Sequence, residues 1–178
     1  MLRRVDRANG EKFAAQLGIL CIAGQSAASP AHASGDDWGI NGVFKALSNG
    51  LWAQTNDRYR DETVVLSTWT ISATTCTNPT DCVGNMHSDQ GWSAPICERS
   101  GLWYVKHTVP HWEPCPDGTA ADGLQTFMFY PATPNDGTVD ASQSDLFAGS
   151  DQTQGPSGAF GTNKPLVVSI PFRLTRIS

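Results

Sequence analysis

Apolar residues near the C-terminus fall on every second position. Leu166, Val168, Ile170, Phe172 and Leu174 alternate with Val167, Ser169, Pro171 and Arg173. A period of two describes a strand with one buried and one wet face. Pro171 has no N–H to give a ladder, so this strand is predicted to lie at a sheet edge or to end its pairing there. Residues 102–109 form a second predicted strand, with Trp103, Val105 and Val109 on one face. Residues 64–72 form a third, which groups Val65, Trp69 and Ile71, and residues 125–130 a fourth. Residues 44–48 and 51–55 flank Asn49-Gly50, a pair that favours the left-handed dihedrals of a type I′ hairpin. Asn41-Gly42, Asp117-Gly118, Asp122-Gly123 and Asp136-Gly137 signal further turns. No stretch sustains a capped i, i+3, i+4 pattern, and residues 140–148 are the one short helix candidate. Residues 133–164 are rich in Gly, Ser, Asp, Gln and Pro, long for a loop, so part of the segment is predicted to be ordered or functional. The pattern describes an all-β chain: a single antiparallel barrel or sandwich with long polar loops.

The first 33 residues read differently. Arg3, Arg4, Arg7 and Lys12, diluted by Asp6 and Glu11, precede an apolar stretch at 13–24 and the small-residue site Ala31-His32-Ala33. This is the order of a secretory signal peptide. Leu20 before Cys21 lacks the small side chain that lipid attachment needs. Cleavage after Ala33 leaves residues 34–178 as a single β domain, with no membrane span in the mature form. Four basic and two acidic residues depart with the signal, which moves the net charge from −5 to −7. An acidic surface gives nucleic acid no electrostatic purchase. Charged residues make up only 16% of the chain, below the roughly 25% usual for soluble domains.

Export changes the meaning of the cysteines. Cys21 leaves with the signal, and Cys76, Cys82, Cys97 and Cys115 remain. An even count in an exported chain predicts disulfides. Of three possible pairings, 76–82 and 97–115 are preferred, because each closes a turn-rich or proline-rich segment.

Candidate chemistry is sparse. His107, His111, Glu113 and Cys115 have a metal-like spacing, but Pro110 and the strand context remove the shared helix face that H-x3-H requires. His87 and Asp89 lie beside Trp92, and no G-x-S-x-G elbow supplies a nucleophile. Gly155, Gly158 and Gly161 are wrongly spaced for a dinucleotide loop. No catalytic residue, metal site or cofactor is expected, and the chain reads as a non-enzyme. The six tryptophans are the remaining signal. Most belong in a core, while Trp92, Trp103 and Trp112, with Tyr104, are candidate ligand-binding residues lining a cavity or patch. Gly50-Leu51-Trp52 matches the short G-x-W element of lipocalins, here placed after a turn.

Several segments carry a resemblance. Ser67-Thr68-Trp69-Thr70-Ile71-Ser72, the stretch from Cys76 to Cys82, Ser88-Asp89-Gln90-Gly91-Trp92, Leu102-Trp103-Tyr104-Val105, Trp112-Glu113-Pro114-Cys115-Pro116-Asp117-Gly118 and Gly155-Pro156-Ser157-Gly158 together resemble small exported actinobacterial, mycobacterial-type proteins of unassigned function. The Trp strand followed by two close cysteines is also similar to extracellular sensor domains of bacterial Ser/Thr kinases. That resemblance implies a ligand- or surface-sensing module; no kinase motif accompanies it. The expected function is an exported binding domain of the cell envelope or extracellular space, its partner an envelope component, lipid or protein. A lipocalin-like carrier of an apolar small molecule and a secreted hydrolase using His87 or His107 are the alternatives.

Overall fold

The computed structural model describes residues 38–159 and 163–178; the expected signal segment, with Cys21, lies outside them. Ten strands run in chain order: β1 (Gly42–Ser48), β2 (Gln54–Thr55), β3 (Arg58–Tyr59), β4 (Val65–Asn78), β5 (Asp81–Ser88), β6 (Ser93–Arg99), β7 (Leu102–Pro114), β8 (Ala120–Pro131), β9 (Leu146–Gln154) and β10 (Val167–Arg176). Eight of them, β1-β4-β5-β6-β7-β8-β9-β10, pair in that order, and β10 returns to β1. The result is a closed antiparallel barrel with no free edge among these eight.

The alternation read from sequence decides what points inward. Phe44, Ala46 and Ser48 of β1, Trp69 and Ile71 of β4, Ile96 of β6, Trp103 and Val105 of β7, Phe127 and Phe129 of β8, Phe147 of β9 and Phe172 and Leu174 of β10 are all buried. The middle of the barrel is an aromatic column. Trp69 meets Phe127 edge-on at 4.8 Å between ring centroids and Phe172 at 5.3 Å; Phe129 links Phe172 at 5.6 Å to Phe147 at 5.8 Å. Such offset and edge-to-face pairs add to simple area burial. Gly149, opposite Phe129 and Phe172, lets β8 and β9 approach: a Cβ there would run into the Met128 carbonyl oxygen.

Four sequence expectations are corrected. Residues 166–174 do form a strand, but β10 is not at an edge. β9 pairs along one side, and on the other β2 takes Val168 and Ser169 while β1 takes residues 172–176. Pro171 falls in the gap between those two partners, where its missing N–H costs no ladder bond and its carbonyl accepts from Asn49 N–H at 2.9 Å. Asn49-Gly50 makes no hairpin. Asn49 has φ −87° and caps a 3₁₀ turn at Gly50–Trp52, with its side chain accepting from Leu51 N–H. The β2–β3 hairpin turns instead on Asn56 and Asp57, at φ 49° and 66°, the two positive dihedrals of a type I′ turn. Residues 140–148 are not helical; β9 begins at Leu146, so part of the long polar segment is strand.

The fourth correction concerns the cysteines. Cys76 and Cys82 face each other across the β4–β5 hairpin and are disulfide-bonded. Cys115 is a free, half-buried thiol, and Cys97, which is disulfide-bonded, does not pair with it. Register explains why. Cys97 lies opposite Tyr104 of β7, and Cys115 is eleven residues farther on, about 36 Å of extended strand. A disulfide needs Cα atoms within roughly 7 Å.

Candidate functional site

Above the aromatic column the interior turns polar. The next inward positions along β1, β7, β8 and β9 are Ser48, His107, Gln125 and Asp151. Asp151 is 4% exposed. Its carboxylate accepts from Ser48 Oγ at 2.7 Å and from Gln125 Nε2 at 2.7 Å. Gln125 Nε2 donates to Asp151, and its Oε1 lies 2.6 Å from His107 Nε2. Burial pushes the Asp151 carboxyl above the ordinary carboxylate range, and the hydrogen bonds from Ser48 and Gln125 and the neighbouring His107 partly oppose it. Trp92, from the β5–β6 turn, stacks on His107 at 3.7 Å between centroids and meets Trp69 edge-on at 5.8 Å. The column and the polar network therefore share one wall.

A cavity of about 420 Å³ opens over this network at the barrel mouth. Asp151, Gln125 and Thr153 form its polar floor. Trp112, Leu166, Val168 and Ile170 supply apolar wall, and Arg60, Glu62 and Thr63 contribute rim charge and hydroxyl. The Thr55 hydroxyl, also in the lining, is buried and has no hydrogen-bond partner among the described residues. Polar groups converging at one end of an apolar concavity are the general form of a small-molecule site.

Local sequence explains how Trp112 reaches this mouth. The β7–β8 register runs regularly to Val109↔Gly123 and resumes at Glu113↔Ala121, so β7 carries two extra residues. This is a bulge, a device that bends a strand and re-aims a side chain. His111 takes the left-handed conformation there, φ 54°, and its N–H donates to Asp122 Oδ1 at 2.9 Å. Trp112 then lies across two glycines. A Cβ on Gly123 would come within 2.9 Å of the Trp112 ring, and one on Gly155 within 3.5 Å. On the opposite rim, Gly50 O accepts from Glu62 N–H at 2.8 Å, which ties residues 60–63 to the 3₁₀ turn.

The four aromatic candidates are not brought together. Trp112 lines the mouth, while Trp92 packs against the core and stacks on His107. Trp103 is buried in the core and reaches the opposite end of the barrel, and Tyr104 points out through the wall. Of the other tryptophans, Trp69 is central to the core while Trp38 and Trp52 are exposed. The polar floor was missed. Ser48 and Gln125 lie at the ends of strands predicted from alternation, whereas Asp151 lies in β9, which the alternation of the sequence does not mark as a strand.

Other candidates resolve separately. Among the described residues, no group of three His, Cys, Asp or Glu side chains is arranged to hold a metal ion. His107 faces inward on Gln125, whereas His111 is exposed on the bulge. His87 Nδ1 contacts Ser93 Oγ at 2.9 Å on the exposed outer wall. The barrel centre is filled by rings, so the deep apolar calyx of a lipocalin has no counterpart and open space lies at the ends. No described helix is long and apolar enough to cross a membrane.

Comparison with known proteins places the architecture. No protein-family profile matches the chain, and no curated protein matches it. Among solved structures, the monomer form of the Mycobacterium tuberculosis PknI sensor domain superposes with a TM-score of 0.54 at 14% identity. The match covers 78% of this chain and 88% of that one. A likeness at this identity is one of fold, and it agrees with the sequence similarity to kinase sensor domains; the resemblance to small exported actinobacterial proteins stays an expectation from sequence. The chain is thus an eight-stranded antiparallel barrel of the same fold as a bacterial kinase sensor domain.

Proposed function

We propose that this protein is a non-catalytic, extracytoplasmic binding domain that holds a small amphipathic molecule in the barrel mouth. The observation that carries the reading is the roughly 420 Å³ cavity, with Trp112 on one side and the Asp151–Gln125 floor beneath. An apolar portion would pack on Trp112 and the aliphatic residues of β10. A polar portion would take the Thr55 hydroxyl, which lacks a partner among the described residues, and the outer edge of the Asp151 network. The Asp151 network is bonded before any ligand arrives, so little ordering cost attends binding. The neighbour is by name a sensor domain, which supports a sensing or carrying role, and the Cys76–Cys82 disulfide suits an oxidising compartment. The ligand would be an envelope component.

The test is intrinsic fluorescence and thermal shift of the purified protein against lipid, glycan and whole-envelope fractions. Saturable quenching that Trp112→Ala weakens supports the proposal; an unchanged signal with every fraction overturns it. The second reading, a hydrolase, has one observation in its favour, the Ser93–His87 contact. That pair stands on the exposed outer wall, away from the mouth cavity. Labelling of Ser93 by a fluorophosphonate, abolished in His87→Ala, would replace the binding proposal with this one.

A further inference from the structure

At the end of the barrel opposite the mouth lies a second cavity, of about 300 Å³, within the usual range for small-molecule sites. Trp38, Ile40, Trp103, Val139 and Phe147 give it apolar walls. Glu98 is the charged side chain that lines it. Glu98 is the last inward position of β6, following Ala94 and Ile96, and is 4% exposed. Its Oε1 accepts from Gly101 N–H at 3.0 Å. Its Oε2 is buried and has no hydrogen-bond partner among the described residues.

The adjacent cation does not serve it. Arg99 forms an ion pair with Asp81, and its guanidinium reaches Glu98 only at the backbone carbonyl, at 2.8 Å. Buried acceptors are ordinarily paired, and an unpaired buried carboxylate is strongly disfavoured. Burial and the nearby Asp81 hold this carboxyl above the ordinary carboxylate range, against the Gly101 hydrogen bond and Arg99. A cation delivered with its own apolar body would satisfy both the oxygen and the walls. An anionic ligand would place like charges together.

We propose that this cavity is a second ligand site, independent of the mouth, which takes a small apolar amine whose ammonium group pairs with Glu98 Oε2 and whose body packs against Trp38 and Trp103. The exposed Ser142 and the neighbouring Gln143 form the polar rim through which such a molecule enters.

The Gly101 amide, hydrogen-bonded to the same carboxyl, is a built-in reporter. Phenethylamine is titrated into the full-length protein and followed in ¹H–¹⁵N spectra, with 3-phenylpropionate as the anionic control. The expected result is a saturable shift of the Gly101 amide and of the Trp38 and Trp103 indoles with the amine alone, weakened at least about tenfold in Glu98→Gln. Ser142→Trp, a substitution at an exposed rim position that blocks the cavity, abolishes the shift as well and decides the matter if Glu98→Gln does not fold. An unmoved Gly101 at saturating phenethylamine, an equal response to 3-phenylpropionate, or undiminished binding in both variants overturns the proposal. Because Trp112 and Asp151 lie at the other end, Trp112→Ala leaves this binding intact, so the two sites fail or stand separately.

Discussion

Asp151 shows how one residue can be costly and still be kept. Its carboxyl lies in the interior, is pushed above the ordinary carboxylate range by burial, and is held by a hydroxyl and an amide. Replacing it by Asn removes the buried charge but leaves either Ser48 or Gln125 facing a donor where an acceptor stood. The expected outcome is a folded variant with a changed floor, read as lost ligand quenching at the mouth with the barrel's circular dichroism unaltered. Trp69 is the opposite case. It is 1% exposed at the centre of the ring column, and Trp69→Ala should cost about 3–5 kcal/mol in urea unfolding. Trp69→Phe should cost less, because the indole N–H it removes has no hydrogen-bond partner among the described residues. A cost for Phe equal to that for Ala would contradict this.

Elements depend on where glycine and cysteine fall. The β4–β5 hairpin is closed by Cys76–Cys82, and the loop-entropy relation gives that bridge about 2–2.5 kcal/mol. Cys76→Ala with Cys82→Ala should lower the unfolding midpoint by a corresponding amount while leaving the urea m-value near its original size. The β8–β9 contact depends on Gly149, where a Cβ meets the backbone of β8. Gly149→Ala should therefore destabilise by about 2 kcal/mol or more, whereas Gly137→Ala, in open space at φ 71°, pays only the cost of its left-handed backbone. Denaturant melts of the two variants separate packing from dihedral strain. The strands themselves were largely legible: β1, β4, β7, β8 and β10 follow alternating or aromatic-rich segments of the sequence. β9 was hidden, since Leu146-Phe147-Ala148-Gly149-Ser150 reads as a loop or short helix until Phe147 finds the core. The Asn49-Gly50 hairpin failed because a favourable dipeptide competes with register, and both flanking segments found a better partner in β10.

At the scale of the whole molecule, two groups of carboxylates pull stability in opposite directions with pH. Burial raises Asp151 and Glu98, so the folded chain holds these protons where the unfolded chain has released them. Stability therefore falls as pH rises through the interval between the ordinary carboxylate range and their raised values. Asp117, Asp136 and Asp140 are held below the ordinary range by hydroxyls of Thr119, Thr133 and Ser142. They add stability above that range and lose it as pH falls through their lowered values. Thermal melts across pH should show a maximum within the ordinary carboxylate range, with a decline above it that Asp151→Asn flattens. A profile that rises steadily to neutral pH would refute the assignment.

Sequence alone determined the all-β class and the inward faces of the principal strands and favoured the Cys76–Cys82 bridge, because each follows from short-range facts: a period of two, turn residues and a bridge across one hairpin. Barrel closure, the interior place of β10, the separation of Cys97 from Cys115 and the division of the tryptophans between two ends were decided by tertiary structure. Those features depend on which strand lies beside which, at what register. A one-residue slip would exchange inside for outside along a whole strand. The polar floor at Asp151 exists only because β1, β8 and β9 meet at that level of the barrel, and no stretch of the chain carries that information by itself.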